Sequence, residues 1–106
     1  MANLPKRLSL IELQVNLLSA LANGTRLTVL KLLVKQELSV GALARAVGLS
    51  QSALSQHLAK LRNLRIVQTR RDSQHIYYSC QSASVTTLLD ALDIAVPAPA
   101  PLKLVS

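Results

Sequence analysis

Apolar residues at positions 10, 13, 17, 18 and 21 recur at helical spacing and predict a first helix from about Leu8 to Leu21. Leu27, Leu30, Leu32, Leu33 and Val34 predict a second, well-buried helix, with Asn23 as its N-cap. Lys35-Gln36-Glu37 reads as a polar connection. Ser39 can cap a short third helix to about Val47, in which Leu43 and Val47 stand at i and i+4. Gly48 is expected to end that helix in the left-handed conformation. Ser50 then caps a fourth helix to about Leu64, whose apolar stripe is narrow: Leu54, Leu58 and Leu61. Its opposite face carries Gln51, Ser52, Ser55, Gln56 and Lys60, short or amide side chains without an acid.

After Leu64 the period changes from helical toward two. Val67 and Thr69 alternate with Gln68 and Arg70, and Ile76 and Tyr78 with Tyr77 and Ser79; Asp72-Ser73 makes the turn of a short hairpin. Ser82 or Ser84 starts a last helix with Val85, Leu88, Leu89 and Leu92 on one side. The expected order is four helices, two strands and a helix: a mostly α chain with a small β-hairpin. Residues 1–7 are expected to form a flexible arm, residues 8–95 the folded domain, and the Pro/Ala-rich residues 96–106 an extended, disordered tail.

Composition narrows the class. In 106 residues, half are hydrophobic yet Tyr77 and Tyr78 are the only aromatics, so Leu, Val, Ile and Ala must build a core of packed helices. No run approaches the roughly 18 uninterrupted apolar residues of a membrane span. Lys6 and Arg7 precede an apolar stretch, but Glu12, Gln14 and Asn16 interrupt it, as a secretory signal would not allow. With a single Cys80 there is no intramolecular disulfide framework, which points to a reducing, cytoplasmic setting.

The net charge is +7, and its distribution matters more than its total. Between Leu38 and Arg71 stand Arg45, Lys60, Arg62, Arg65, Arg70 and Arg71, and no acid. A basic stretch of this kind suits phosphate neutralisation. The segment Ala44–Gly48–Leu54 has helix-turn-helix spacing: a small residue at the crossing, a Gly at the turn and an apolar anchor on the second helix. Gln and Ser side chains in that second helix's first turns stand where base edges are met, and a Gln amide matches the edge of adenine. The expected DNA-binding residues are Gln51, Ser52, Ser55, Gln56, His57, Lys60, Arg70 and Arg71. Arg26 is read as structural, His75 as exposed, and Cys80 as a small buried hydrophobe. An enzyme is disfavoured, because no nucleophile–base pair, carboxylate pair or phosphate-binding Gly loop is present.

The segments 18–27 (Leu-Ser-Ala-Leu-Ala-Asn-Gly-Thr-Arg-Leu), 49–58 (Leu-Ser-Gln-Ser-Ala-Leu-Ser-Gln-His-Leu) and 70–78 (Arg-Arg-Asp through Ile-Tyr-Tyr) resemble the ArsR/SmtB family of repressors. Val40–His57 is especially similar to the nodulation-gene regulator (NolR-type) subgroup. The resemblance implies a winged helix-turn-helix homodimer on double-stranded DNA, with the first and last helices at the interface and the fourth helix reading DNA. In that subgroup the residue matching Gln51 reads bases, and those matching Ser52, Ser55 and Gln56 share its surface.

The family's metal sites do not carry over. Ser39 and Gly41 stand where one site has a Cys-x-Cys pair, and residues 82–94 hold Asp90 and Asp93 but no His. No metal or other cofactor is therefore expected. Gly24 stands where the family often has Pro, and the wing tip Asp72-Ser73-Gln74 lacks the family's Gly and basic residue, leaving Arg70 and Arg71 as the expected wing contacts. Two other readings are a redox-responsive regulator acting through Cys80 and a winged-helix module that binds protein.

Overall fold

The computed structural model describes residues 6–99. Chain order is α1 (Lys6–Leu21), α2 (Gly24–Leu33), β1 (Leu38–Ser39), α3 (Val40–Val47), α4 (Gln51–Asn63), β2 (Gln68–Asp72), β3 (His75–Ser79) and α5 (Ala83–Ala95). This is the winged helix-turn-helix expected from the sequence, with two differences. Helix α1 already includes Lys6 and Arg7, which had been assigned to the arm; residues 1–5 of that arm and 100–106 of the tail lie outside the described residues. A further strand, β1, precedes α3 and pairs antiparallel with β3 (Leu38 opposite Tyr78, Ser39 opposite Tyr77), giving a three-stranded sheet in the order β1-β3-β2.

Local chemistry sets the helix ends. The side chains of Asn23, Ser39, Ser50 and Ser82 each accept a hydrogen bond from the backbone N–H three residues on, at 3.0–3.2 Å. Gly48, at φ 71°, closes α3, and the Leu49 N–H reaches back to the Ala44 carbonyl at 3.0 Å. Helix α4 ends by the same device with a less suitable residue: Arg65 takes φ 59° while the Ile66 N–H bonds the Leu61 carbonyl.

The core gathers Val29, Leu30 and Leu33 of α2, Leu43 of α3, Leu54, Leu58 and Leu61 of α4, and Val85 of α5, with Tyr78 as its aromatic member. All three α4 leucines are spent on that core, so the rest of the helix surface is polar. Helix α1 behaves differently. Ala20 and Leu21 are buried at its end, but Leu10, Ile11, Leu13, Val15 and Leu18 are 46–65% exposed. Ile11, Val15 and Leu18 follow i, i+4, i+7 spacing and so form one stripe, turned away from the side that carries Leu17 and Leu21.

Candidate nucleic-acid interface

A groove of about 640 Å³ runs between the start of α3, one flank of α4 and the β2–β3 hairpin. Gln51, Ser52 and Ser55 line it from α4, Ser39, Gly41 and Arg45 from the α3 side, and Gln74, His75, Ile76 and Tyr78 from the hairpin. Arg62 of α4 also lines it. No Asp or Glu lines it. Val40, Leu58 and Ile76 add apolar surface, and the rest of the lining is mainly hydrogen-bonding and cationic, suited to base edges and phosphates.

Helix α4 can present these groups because its start is fixed. The Ser50 hydroxyl caps it through the Ala53 N–H and lies 3.3 Å from the Ser52 hydroxyl. Arg45 Nη1 and Gln51 Nε2 both approach Gly41, each 3.5 Å from where a Cβ would stand, an ordinary van der Waals distance.

The expected site residues do not all meet. Gln51, Ser52 and Ser55 come together in the groove, and Gln56 and Lys60 are exposed on α4 outside its lining. His57 turns to the opposite flank, half-buried, with Nδ1 3.3 Å from Arg26 Nη1. Arg26 itself is buried, consistent with the structural role read for it.

Strand alternation separates the two wing arginines. Cross-strand partners share a sheet face. Arg71 pairs with Ile76 and so lies on the face of Ile76 and Tyr78, the face of the groove; Arg70 pairs with Tyr77 on the other. There Arg70 lies 4.7 Å over the Tyr77 ring and grips Glu37 with Nε and Nη2, at 3.1 and 2.7 Å. This is the only ion pair among the described residues. The Arg70 hydrogen bond holds the Glu37 carboxyl below its usual pKa, against a smaller opposing effect of desolvation. The sequence had treated the two arginines as equivalent and Glu37 as mere connection.

Arg45 and Arg62 were counted in the basic stretch but not as site residues. The i, i+4 relation of Gly41 to Arg45 was the available signal for the first. Arg62 donates to the Tyr78 hydroxyl, tying α4 to the wing, a contact between elements that no local pattern announces.

Cys80 is buried, its thiol donates to the Ile66 carbonyl at 3.2 Å, and burial pushes its pKa up, only partly offset by a Ser82 backbone hydrogen bond. The thiolate is the reactive form, so this setting suits a packed residue and lends no support to a redox role. Among the described residues no three His, Cys, Asp or Glu side chains come close enough to hold a metal ion, and no helix is long and apolar enough to cross a membrane.

Residues 23–69 match the family model described as bacterial regulatory protein, arsR family. The chain is 59% identical over 81 residues to the nodulation protein NolR of Rhizobium meliloti, a match that spans 76% of this chain and 66% of that protein's length. The crystal structure of NolR from Sinorhizobium fredii superposes with a TM-score of 0.84 at 52% identity, covering 93% of this chain and 99% of that one. A homodimeric winged helix-turn-helix DNA-binding domain from Mycobacterium bovis, described as a possible ArsR-family regulator, gives 0.77 at 30% identity, covering 90% and 89%.

Proposed function

The chain belongs to the arsR family of bacterial regulatory proteins, and from that premise we propose that it is a sequence-specific transcription regulator of the cytoplasm. It represses by occupying a palindromic DNA operator as a homodimer. The observation that carries this reading is the acid-free groove, where Gln51, Ser52 and Ser55 stand beside Arg45, Arg62 and the wing. In it α4 enters the major groove, Gln51 reads an A·T pair through its amide, and Ser52, Ser55 and Gln56 complete the reading surface. Lys60 and Arg71 neutralise phosphates; Arg70, already engaged by Glu37, contributes less.

The dimer reading is supported by the uncovered apolar residues of α1 and by Leu92 and Ile94 of α5, 37% and 83% exposed. A second copy packed on α1 and α5 would cover them. It would also set two recognition helices about one DNA turn apart, roughly 34–36 Å. A module that binds protein through the groove would be better served by apolar or acidic lining than by this one.

Binding-site selection followed by footprinting tests the proposal. The expected result is a palindrome protected by two protomers, and Gln51→Ala should cost about 1–3 kcal/mol on the best site and less on sites altered at that base. A single half-site held by a monomer contradicts the dimer; an equal loss on every sequence removes Gln51 from base reading.

A further inference from the structure

Arg26 is the only buried charged side chain among the described residues, 7% exposed, and no carboxylate meets it. Acceptors from two other helices hold its guanidinium. Nε donates to the Ala20 carbonyl at 2.8 Å and Nη2 to the Ser19 carbonyl at 3.0 Å, both in the last turn of α1. Helix C-terminal carbonyls are unsatisfied within their own helix and carry the negative end of its dipole, so a cation is favoured there. The third contact runs the other way along the molecule, from Nη1 to Nδ1 of His57 on α4 at 3.3 Å. A guanidinium can only donate, so Nδ1 accepts and the neutral ring carries its proton on Nε2.

The Leu54–Leu58–Leu61 stripe seats α4 on the core and Arg62 ties its last turn to the wing, but neither is a directional contact to the end of α1. A hydrogen bond from a fixed, buried guanidinium is directional. The Asn23 side chain further pins Arg26 through its backbone N–H, at 3.0 Å. We infer that Arg26 and His57 are positioning residues, through which the end of α1 sets the angle at which α4 presents Gln51, Ser52 and Ser55, and that His57 does this without itself touching DNA. The inference rests on the DNA-reading function proposed above. Helix α1 also bears the proposed dimer seam, so the same link joins the seam to the reading helix.

Two isosteres separate positioning from contact. His57→Asn puts an oxygen where Nδ1 was; His57→Gln puts its amide nearer Nε2. In the full-length protein the Asn variant should keep wild-type operator affinity, while the Gln variant should lose about tenfold. Affinity for unrelated duplex DNA, which depends on phosphate contacts, should be unchanged in both. A folding defect would weaken both kinds of binding together and so overturn the inference. So would a Gln variant that binds while Asn fails, which would place Nε2 on the DNA, or two variants that behave alike. A readout independent of DNA is the ring's ¹⁵N spectrum, in which Nδ1 of His57 should be the unprotonated nitrogen. A proton on Nδ1 overturns the inference and leaves the proposed function intact, whereas wild-type protein that binds no operator defeats the function and leaves the tautomer result standing.

Discussion

Both α1 and α4 are rich in leucine, yet α4 hides Leu54, Leu58 and Leu61 completely while α1 leaves Leu10, Ile11, Leu13, Val15 and Leu18 in the open. In α4 the apolar residues form one stripe narrow enough for a single neighbouring surface to cover. In α1 they occupy more than one face, and one chain covers only the end of the helix. The molecule is therefore finished around its reading head and unfinished around its first helix. A helix apolar on several sides is stable in water only when more than one partner packs on it.

The sharpest way to break this contrast is to charge the open stripe. Val15→Asp should leave the monomer fold intact, because Val15 is 54% exposed, but abolish the proposed dimer, with sedimentation equilibrium as the measurement. Operator affinity should fall by about 10²–10⁴, the avidity gained by linking two half-site contacts. A dimer that survives would show that α1 is only surface.

Within the reading head the sensitive points are backbone positions, and they predict opposite signs at two helix ends. Gly48→Ala meets open space, so its cost is conformational alone: about 1–2 kcal/mol for a left-handed residue, measured by denaturant unfolding. Arg65→Gly relieves the same strain at the end of α4 and should stabilise by up to about 1 kcal/mol. If the two substitutions shift stability in the same direction, strain does not govern these turns.

The wing offers a finer test. Arg71→Ala should flatten the log–log salt dependence of operator binding by about 2 per dimer, each lost phosphate contact contributing about 0.9. Arg70→Ala should flatten it less, because Glu37 already engages that guanidinium. Equal changes would mean that DNA draws Arg70 away from Glu37.

The smallest effect belongs to the Glu37–Arg70 pair itself. Both side chains are exposed, so its contribution is modest. Because the folded-state pKa of Glu37 is lowered, that contribution is present above the ordinary carboxylate range and fades as pH falls through the lowered value. Glu37→Gln should therefore lower the thermal midpoint slightly at neutral pH and not at all in acid. A difference that persists in acid would assign the effect to packing.

What could be read from the chain was what is decided within a few residues. Asn23, Ser39, Gly48 and Ser50 act on backbone groups three to five positions away, so their residue types announce the helix ends they fix. The period-two alternation likewise exposed the hairpin, and applied once more it would have separated Arg70 from Arg71. Strand β1 was out of reach: two residues have no period, and what makes them a strand is the edge of β3. Glu37–Arg70 and Arg26–His57, 33 and 31 residues apart, are equally products of the finished fold. His57 illustrates the cost. Its place on α4 suggested the DNA face, and its 3.3 Å approach to Arg26 Nη1 shows which way the ring turns.

Tyr77 and Tyr78 carry a consequence for how the protein can be observed. With no Trp or Phe anywhere in the chain, they account for its entire near-ultraviolet signature, and both lie in β3. One ring sits under the Arg70 guanidinium at the surface, and the other is sealed in the core with its hydroxyl bound by Arg62. Near-ultraviolet dichroism or tyrosine emission from this protein is thus a recording of the wing alone. DNA bases dominate absorption and dichroism in this region but emit almost no light, so on adding DNA the signal to follow is tyrosine emission, and a change in it reports altered surroundings of these two wing rings, with no label to introduce.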